Sequence, residues 1–372
     1  MNSRIENSLP SQLDRIDRVR TAREARAILR DKHITLSHGS GGKATHTLID
    51  AMFLPAFRNA ALDGFSDAAV LPLRAPSSNG TSAPSFAFTT DSYVVSPLFF
   101  NGGDIGKLAV NGTINDLAMS GARPLCLSLG LILEEGLDME ILRRVIDSVA
   151  ASAAAAGVPI VTGDTKVVPR GKADLIFINT SGVGAVREGI TLSAHTIVPG
   201  DVVIVSGDMG DHGLAVMMAR EALEIETDIS SDTAPLHTMV EGILDAAPGT
   251  RLLKDPTRGG LATTLNEIAR RAGVGIAVSE ESIPVKREVR GACEILGLDP
   301  LQIANEGKLV AIVPAGEADA ALAAIRTHEA GTNAAIIGEV SREPEGLVLL
   351  RTPIGGSRVL DMLVGDPLPR IC

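Results

Sequence analysis

Hydrophobic and polar positions along this chain change period in blocks, from helical to strand-like and back, and the alternation starts at His33. A glycine-rich turn, His38-Gly39-Ser40-Gly41-Gly42-Lys43, leads into a helical pattern that ends near Phe53. Strand-like stretches follow at residues 69–73 and 86–90, separated by a Pro/Ser/Gly/Asn loop at 76–85. Residues 103–119 read as a helix and 125–133 as a buried strand. Residues 138–156 form a long Ala-rich helical pattern, stopped by Gly157 and followed by Pro159. Residues 160–161 and 175–186 supply further strands.

A turn at Ile197-Val198-Pro199-Gly200-Asp201 opens a second unit, with a strand at 202–206, a helix at 213–221 and similar alternation to about residue 350. The last stretch, with Gly355-Gly356, Pro367 and Pro369, has little capacity to pack and reads as a mobile arm. At the other end, Arg15, Arg18, Arg23, Arg26 and Arg30 fall among Asp14, Asp17, Glu24 and Asp31, with Leu13, Ile16, Val19 and Ile28 at weak helical spacing. That pattern reads as a solvated helix, the alternative being a docking arm for a partner. The expected organisation is α+β: an Arg-rich extension 1–32, a domain 33–195, a second domain 196–350 and a tail 351–372.

Composition narrows the function. With 372 residues, 45% of them hydrophobic, the chain can bury two cores, but no Trp, one Tyr and eight Phe make those cores aliphatic. Few aromatics and a net charge of -11 exclude base stacking and a basic field for nucleic acid. An acidic protein that binds a polyphosphate needs bridging Mg²⁺. The cysteines, Cys126, Cys293 and Cys372, are too few and scattered for a disulfide framework, and Cys126 and Cys293 sit in apolar core contexts. Residues 1–32 lack an apolar segment and the run 127–133 is far too short to span a bilayer, so a cytoplasmic protein is expected, away from the membrane.

Candidate chemistry falls into four groups. In Gly39-Ser40-Gly41-Gly42-Lys43, close glycines let backbone N–H groups approach phosphate beside a lysine. It is not a Walker A loop, because Ser37 and Ala44 stand where Gly and Ser/Thr are needed, and a flexible loop before a helix reads the same way. Asp67, Asp91, Asp116, Asp164 and Asp255 each lie near strand ends or glycine turns; singly they suit caps and turns, jointly they suit Mg²⁺. Asp255-Pro256-Thr257-Arg258-Gly259-Gly260-Leu261 is a sharp turn offering hydroxyl and guanidinium donors to anions, or a turn between domains. Cys372 ends a Pro-stiffened arm, where a thiol is either incidental or a carrier. His38 can touch a phosphate and His46 lies on a helix surface; no Ser-His-Asp set or HxxxH zinc pair is present.

Together, residues 36–43, Thr90-Asp91-Ser92, 106–121, Gly163-Asp164-Thr165-Lys166-Val167, 255–261, Asn305-Glu306-Gly307 and the closing Pro369-Arg370-Ile371-Cys372 resemble the hydrogenase maturation family HypE. This family belongs to the PurM-like ATP-dependent synthetases, with aminoimidazole ribonucleotide and selenophosphate synthetases, and the resemblance covers residues 34–372. It implies a two-domain PurM-like α+β architecture with a flexible C-terminal tail, a homodimer, and ATP between the domains and across the dimer contact. It also implies nucleotide contacts from Gly41, Gly42, Lys43, Asp91, Asn111, Asn115, Asp164, Thr257, Arg258 and Gly259. Asp67, Asp91, Asp116 and Asp255 would hold Mg²⁺, although relatives often carry a second acid where this chain has Ser66.

The implied reaction is ATP-dependent dehydration of a carbamoyl group on Cys372 to a thiocyanate, the source of cyanide for the iron of a [NiFe]-hydrogenase. The carbamoyltransferase HypF would load the thiol, and the HypC–HypD iron complex would accept the cyanide. Glu306 would be the base, with Lys166 stabilising charge; the alternative for Glu306 is an ion pair with Lys308. Selenophosphate synthetases carry a Cys just before the lysine of the glycine-rich turn, where this chain has Gly41 and Gly42, and a purine synthetase has no use for Cys372. An adaptor that senses nucleotide without turnover is the other alternative.

Overall fold

The computed structural model describes residues 31–57, 59–63, 67–73, 84–221, 228–365 and 371–372. The Arg-rich helix, Ser66 and Pro369-Arg370 lie outside the described residues.

In the first domain, α1 (Lys43–Leu48) follows the glycine-rich turn. Then come β1 (Ala69–Pro72), β2 (Ser85–Tyr93), a small ribbon of β3 (Phe99–Phe100) and β4 (Gly103–Asp104), and α2 (Ile105–Met119). The chain continues through β5 (Ala122–Glu134), α3 (Met139–Ala156), β6 (Ile160–Val168) and β7 (Ile176–Val186). The strands form one sheet in the order β1-β2-β7-β5-β6. Only β5–β6 is parallel, and α3 is its crossover. Asp104 caps α2 by accepting from the N–H groups of Gly106 and Lys107, and α3 ends on Gly157 at φ 68°. The strand expected at 160–161 runs on to Val168. Gly163-Asp164-Thr165-Lys166 has a turn-like composition, but its backbone pairs with β5 and places these polar side chains on an open sheet edge.

The second domain comprises β8 (Val202–Val205), α4 (Asp211–Glu221), α5 (His237–Ala246), β9 (Leu252–Lys254), α6 (Gly260–Ala272) and β10 (Gly275–Ser279). It continues with α7 (Arg287–Leu296), β11 (Val310–Val313), α8 (Ala318–Arg326), β12 (Ala335–Ser341), β13 (Val348–Arg351) and β14 (Ser357–Val359). The sheet order is β14-β13-β10-β12-β8-β11-β9. Strands β8 and β11 are apolar throughout because both faces are covered. Val203 and Val205 of β8 pack with Leu261, Leu265 and Ile268 of α6, whereas Ile204 faces α5 and α8.

One boundary changes. The sheet continues past residue 350, since β14 pairs with β13. Leu360, Met362 and Leu363 are buried, and Asn266 Nδ2 donates to the Leu360 carbonyl. The first part of the expected arm is therefore part of the second domain. A further core cluster joins the domains: Tyr93, Val95, Phe100 and Ile105 of the first pack with Leu214, Val289 and Ile303 of the second, and with Ile371.

Candidate active site

The site grows from α2. Asn115 lies one turn after Asn111, so both face the second domain. Asn111 Nδ2 donates to Thr233 Oγ1 at 3.3 Å. Asn115 Nδ2 donates to the carbonyls of Ala234 (3.0 Å) and Glu306 (3.2 Å), and its Oδ1 accepts the Leu236 N–H at 2.8 Å. The side chain of Asn115 is thus occupied by protein. Of the two asparagines expected as nucleotide contacts, Asn115 braces the loop that carries Glu306 and Asn111 braces the segment at Thr233.

The scattered acids converge beside them. Asp116 accepts from Thr89 Oγ1 at 2.7 Å, and Asp91 from the Tyr93 hydroxyl at 3.0 Å. Burial raises Asp116 well above the carboxylate range, with Asp91, Asp255 and Asp67 adding repulsion. Burial, and then Asp67, push Asp255 up to about 8. Asp67 is ion-paired to Lys254, which also reaches Glu267 at 3.5 Å. Burial opposes the Lys254 charge, but Asp67, Glu267 and Asp255 outweigh it and hold the ammonium protonated. Asp67 and Lys254 also line a cavity of about 520 Å³ with His46, Glu267, Arg270 and Arg271.

Among the described residues, no three His, Cys, Asp or Glu side chains are gathered closely enough to cage a metal. Mg²⁺ does not need a cage, because it retains water and shares phosphate oxygens. Buried carboxylates that raise one another's proton affinity are a donor set that a divalent cation relieves, so Asp91, Asp116 and Asp255 fit such an ion. Asp67 fits it less well, being tied to Lys254.

The two glycine turns pack on one another. Gly41 lies at φ 75°, and a Cβ there would stand 2.7 Å from Arg258 Cβ. The N–H groups of Gly41, Gly42 and Lys43 already meet Thr45 Oγ1, Ser40 Oγ and the Leu363 carbonyl. Lys43 Nζ pairs with Asp361 at 2.7 Å. This loop is closed on protein acceptors rather than open as a phosphate cradle. Thr257 begins the second turn, its carbonyl accepting the Gly260 N–H at 2.8 Å. Gly259 and Gly260 both hold positive φ, and side chains there would strike Thr263 and the Ile303 carbonyl. The turn sets Arg258 beside the first glycine turn, where its Nη1 donates to the Gly39 carbonyl at 3.2 Å.

Glu306 and Cys372 complete the site. The Cys372 thiol lies beside the Glu306 carboxyl, near enough for each to feel the other, and Arg258 lies close enough to both to feel their charge. Burial raises Glu306 well above its usual range, with Asp255, Asp91 and Asp232 adding to the effect and Arg258 opposing it. Burial, then Glu306, likewise raise the thiol. Glu306 makes no ion pair with Lys308; that ammonium lies 3.7 Å from Asp232 instead. The Glu306 N–H donates to Asp232 Oδ1 at 3.0 Å, and a Cβ on Gly307 would collide with the Asp232 carbonyl. Gly307→Ala should therefore push the Glu306 loop aside, costing about 1–3 kcal/mol of stability. It should slow turnover by roughly 100-fold with nucleotide affinity little changed, as read by melting and single-turnover assays.

Asp164 and Lys166 are not drawn into this cluster. They pair with each other at 2.7 Å on the outward edge β6, each side chain about 70% exposed. Residues the sequence did not single out complete the surroundings: Tyr93, His212, Ser231, Asp232, Lys254 and Glu267. The run Gly210-Asp211-His212-Gly213 was the available signal for His212, because glycines flanking a His-Asp pair at a helix start mark a close approach.

Comparison with known proteins agrees with this geometry. The chain matches the models of the AIR synthase related protein N-terminal domain over residues 65–186 and C-terminal domain over 198–350. It is 52% identical over 348 residues to the carbamoyl dehydratase HypE of Azotobacter vinelandii, covering 94% of this chain and 100% of that one. A HypE–HypF complex structure aligns at TM-score 0.79 and 47% identity, covering 85% of this chain and 99% of that one. A HypE structure in complex with ATP aligns at 0.75 and 49%, covering 91% and 100%. The two matched domains and half-identity over almost the whole length place this chain in the HypE family of carbamoyl dehydratases, within the AIR synthase related fold.

Proposed function

We propose that this protein carries a carbamoyl group on Cys372 and dehydrates it to a thiocyanate at the expense of ATP, for the iron of a [NiFe]-hydrogenase. The observation that carries the reading is the partly buried Cys372 thiol set beside the buried Glu306 and within reach of Arg258. An amide-like oxygen is a poor leaving group; transfer of the ATP γ-phosphoryl group to it makes it depart as phosphate. As oxygen leaves, nitrogen gives up two protons and the C≡N bond forms, the sulfur–carbon bond staying intact. ADP, phosphate and S-cyano-Cys372 are the products.

Glu306 takes one nitrogen proton and the departing phosphate the other; the raised proton affinity of Glu306 and its place beside the sulfur suit a base at this position. Arg258 balances the negative charge around the reacting group. Asp91, Asp116 and Asp255 hold Mg²⁺, which when bound neutralises charge on the phosphate oxygens. Lys43 exchanges Asp361 for a phosphate, and Thr257 and Gly259 support the turn that presents Arg258.

The carbamoyltransferase HypF loads the thiol and a HypC–HypD complex receives the cyanide. A homodimer forms along the open edge of β6, where residues 161–167 are exposed and one side of the strand lacks a neighbour. Asp164 and Lys166 then act across that edge on the partner's nucleotide. A reducing cytoplasm suits a carrier thiol, all three cysteines being free. No helix among the described residues is long and apolar enough to cross a membrane.

The test is the mass of the C-terminal peptide after incubation with the carbamoyltransferase, carbamoyl phosphate and Mg²⁺-ATP. The expected result is a carbamoyl adduct on Cys372 that loses one water only with hydrolysable ATP. An adduct that never loses water would remove the dehydratase role.

A further inference from the structure

The last two residues are seated by specific contacts. The Ile371 side chain enters the core between the domains. The Ile371 carbonyl meets His212 Nε2 at 2.7 Å, and the Cys372 backbone oxygen accepts the Val94 N–H at 3.1 Å. His212 is fully buried at the start of α4, its ring edge-on to Phe100 with centroids 5.5 Å apart.

We propose that His212, with its tautomer fixed by Ser231, is the positioning residue that latches the tail and sets the Cys372 thiol on Glu306. This rests on the reading of Cys372 as the carrier. A carbonyl only accepts, so Nε2 must carry the proton it gives to Ile371. Burial favours the neutral ring, with Asp232 and the Ile371 carbonyl pulling the other way, so Nδ1 is an acceptor. Its partner is Ser231 Oγ at 2.8 Å. That hydroxyl already accepts the Thr233 N–H at 3.2 Å, which leaves its own proton directed to His212.

One short segment thus governs both reacting groups. Ser231 orients the imidazole that holds the tail, and Asp232 holds the Glu306 N–H. Thr233 is tied to Asn111, and the Ser231 N–H donates to the Asn101 carbonyl at 2.8 Å, fixing the segment to the first domain. Two hydrogen bonds from neutral donors, His212 and the Val94 N–H, also let the tail leave for loading, which a side-chain salt bridge would resist.

The test uses full-length His212→Gln, His212→Asn and His212→Leu proteins. Gln keeps an N–H near the Nε2 position, Asn offers only a group near Nδ1, and Leu offers neither. One readout is iodoacetamide alkylation of Cys372, followed on the C-terminal peptide. The other is single-turnover dehydration of preloaded protein. Asn and Leu variants should alkylate about tenfold faster and dehydrate about tenfold slower than the parent, with Gln restoring both to within about threefold. Loading should proceed as before in all three. Asn equal to Gln, or Leu equal to the parent in alkylation, overturns the latch. If the Leu protein does not fold, Ser231→Ala decides in its place: faster alkylation supports the tautomer lock, unchanged alkylation refutes it. Alkylation needs no turnover, so a latch can stand even where the dehydratase reading fails.

Discussion

Glu306→Gln should accept a carbamoyl group on Cys372 at the parent rate and then dehydrate it roughly 10²–10⁴-fold more slowly, the usual range for loss of a positioned base. Glutamine keeps the shape and the backbone bonds to Asp232 and Asn115, so the tail should still dock. Single-turnover mass analysis of the C-terminal peptide separates the two steps. Dehydration at the parent rate would assign the proton to another group. A second consequence concerns stability. Burial, Asp255, Asp91 and Asp232 raise the folded-state proton affinity of Glu306, with Arg258 opposing. Such a group is neutral in both states below the unfolded value of about 4.3. Above it, the unfolded chain ionises first, so the native state loses stability as pH rises towards the raised folded value. Glu306→Gln removes that slope. Melted without nucleotide or metal, the variant should match the parent at low pH and exceed it increasingly towards neutrality.

Glu306 stands out in the sequence as an acid between Asn305 and Gly307. Helix and strand periods located β2, α2, β5 and α3 to within a few residues, because apolar spacing and the glycines that close the helices mark them out. The acids were visible as isolated polar residues in small-residue surroundings. What could not be read was which partner each would find. Asn111 and Asn115 have the spacing of a helix face, but whether that face meets a nucleotide or the Glu306 loop depends on how two domains dock. The glycine-rich turn invited a phosphate by composition. Its glycines are explained by the close approach of Arg258 and of the Leu363 carbonyl, far away in sequence. Asp164 and Lys166 looked like a turn because nothing local reports that a polar stretch will serve as a sheet edge. His212 and Ser231 lay hidden for the same reason: a single hydrogen bond to Ile371 spans 159 residues.

Lys254→Met should be the most damaging substitution for stability outside the reacting groups. Its ammonium is buried among Asp67, Glu267 and Asp255. Removing the cation leaves carboxylates in a low-dielectric setting, with His46 at 2.8 Å from Glu267 and Arg271 close enough to feel its charge as the remaining basic neighbours. Breaking such a buried pair from one side costs about 3–5 kcal/mol, so the melting temperature should fall by roughly 10 °C. Asp67→Asn added to Lys254→Met should recover part of the loss, because it removes a stranded charge rather than restoring a contact. The deficit should also depend on pH. Burial would raise Glu267, but Lys254 and His46 outweigh it and hold the carboxyl below its usual value. That contribution is present above the unfolded value of about 4.3 and disappears as pH falls through the lowered folded one. The parent and the variant should therefore converge in acid and separate towards neutrality. A deficit that is flat with pH, or a double variant no better than the single one, would mean that Lys254 supports the fold by packing its stem and not by neutralising the acids around it.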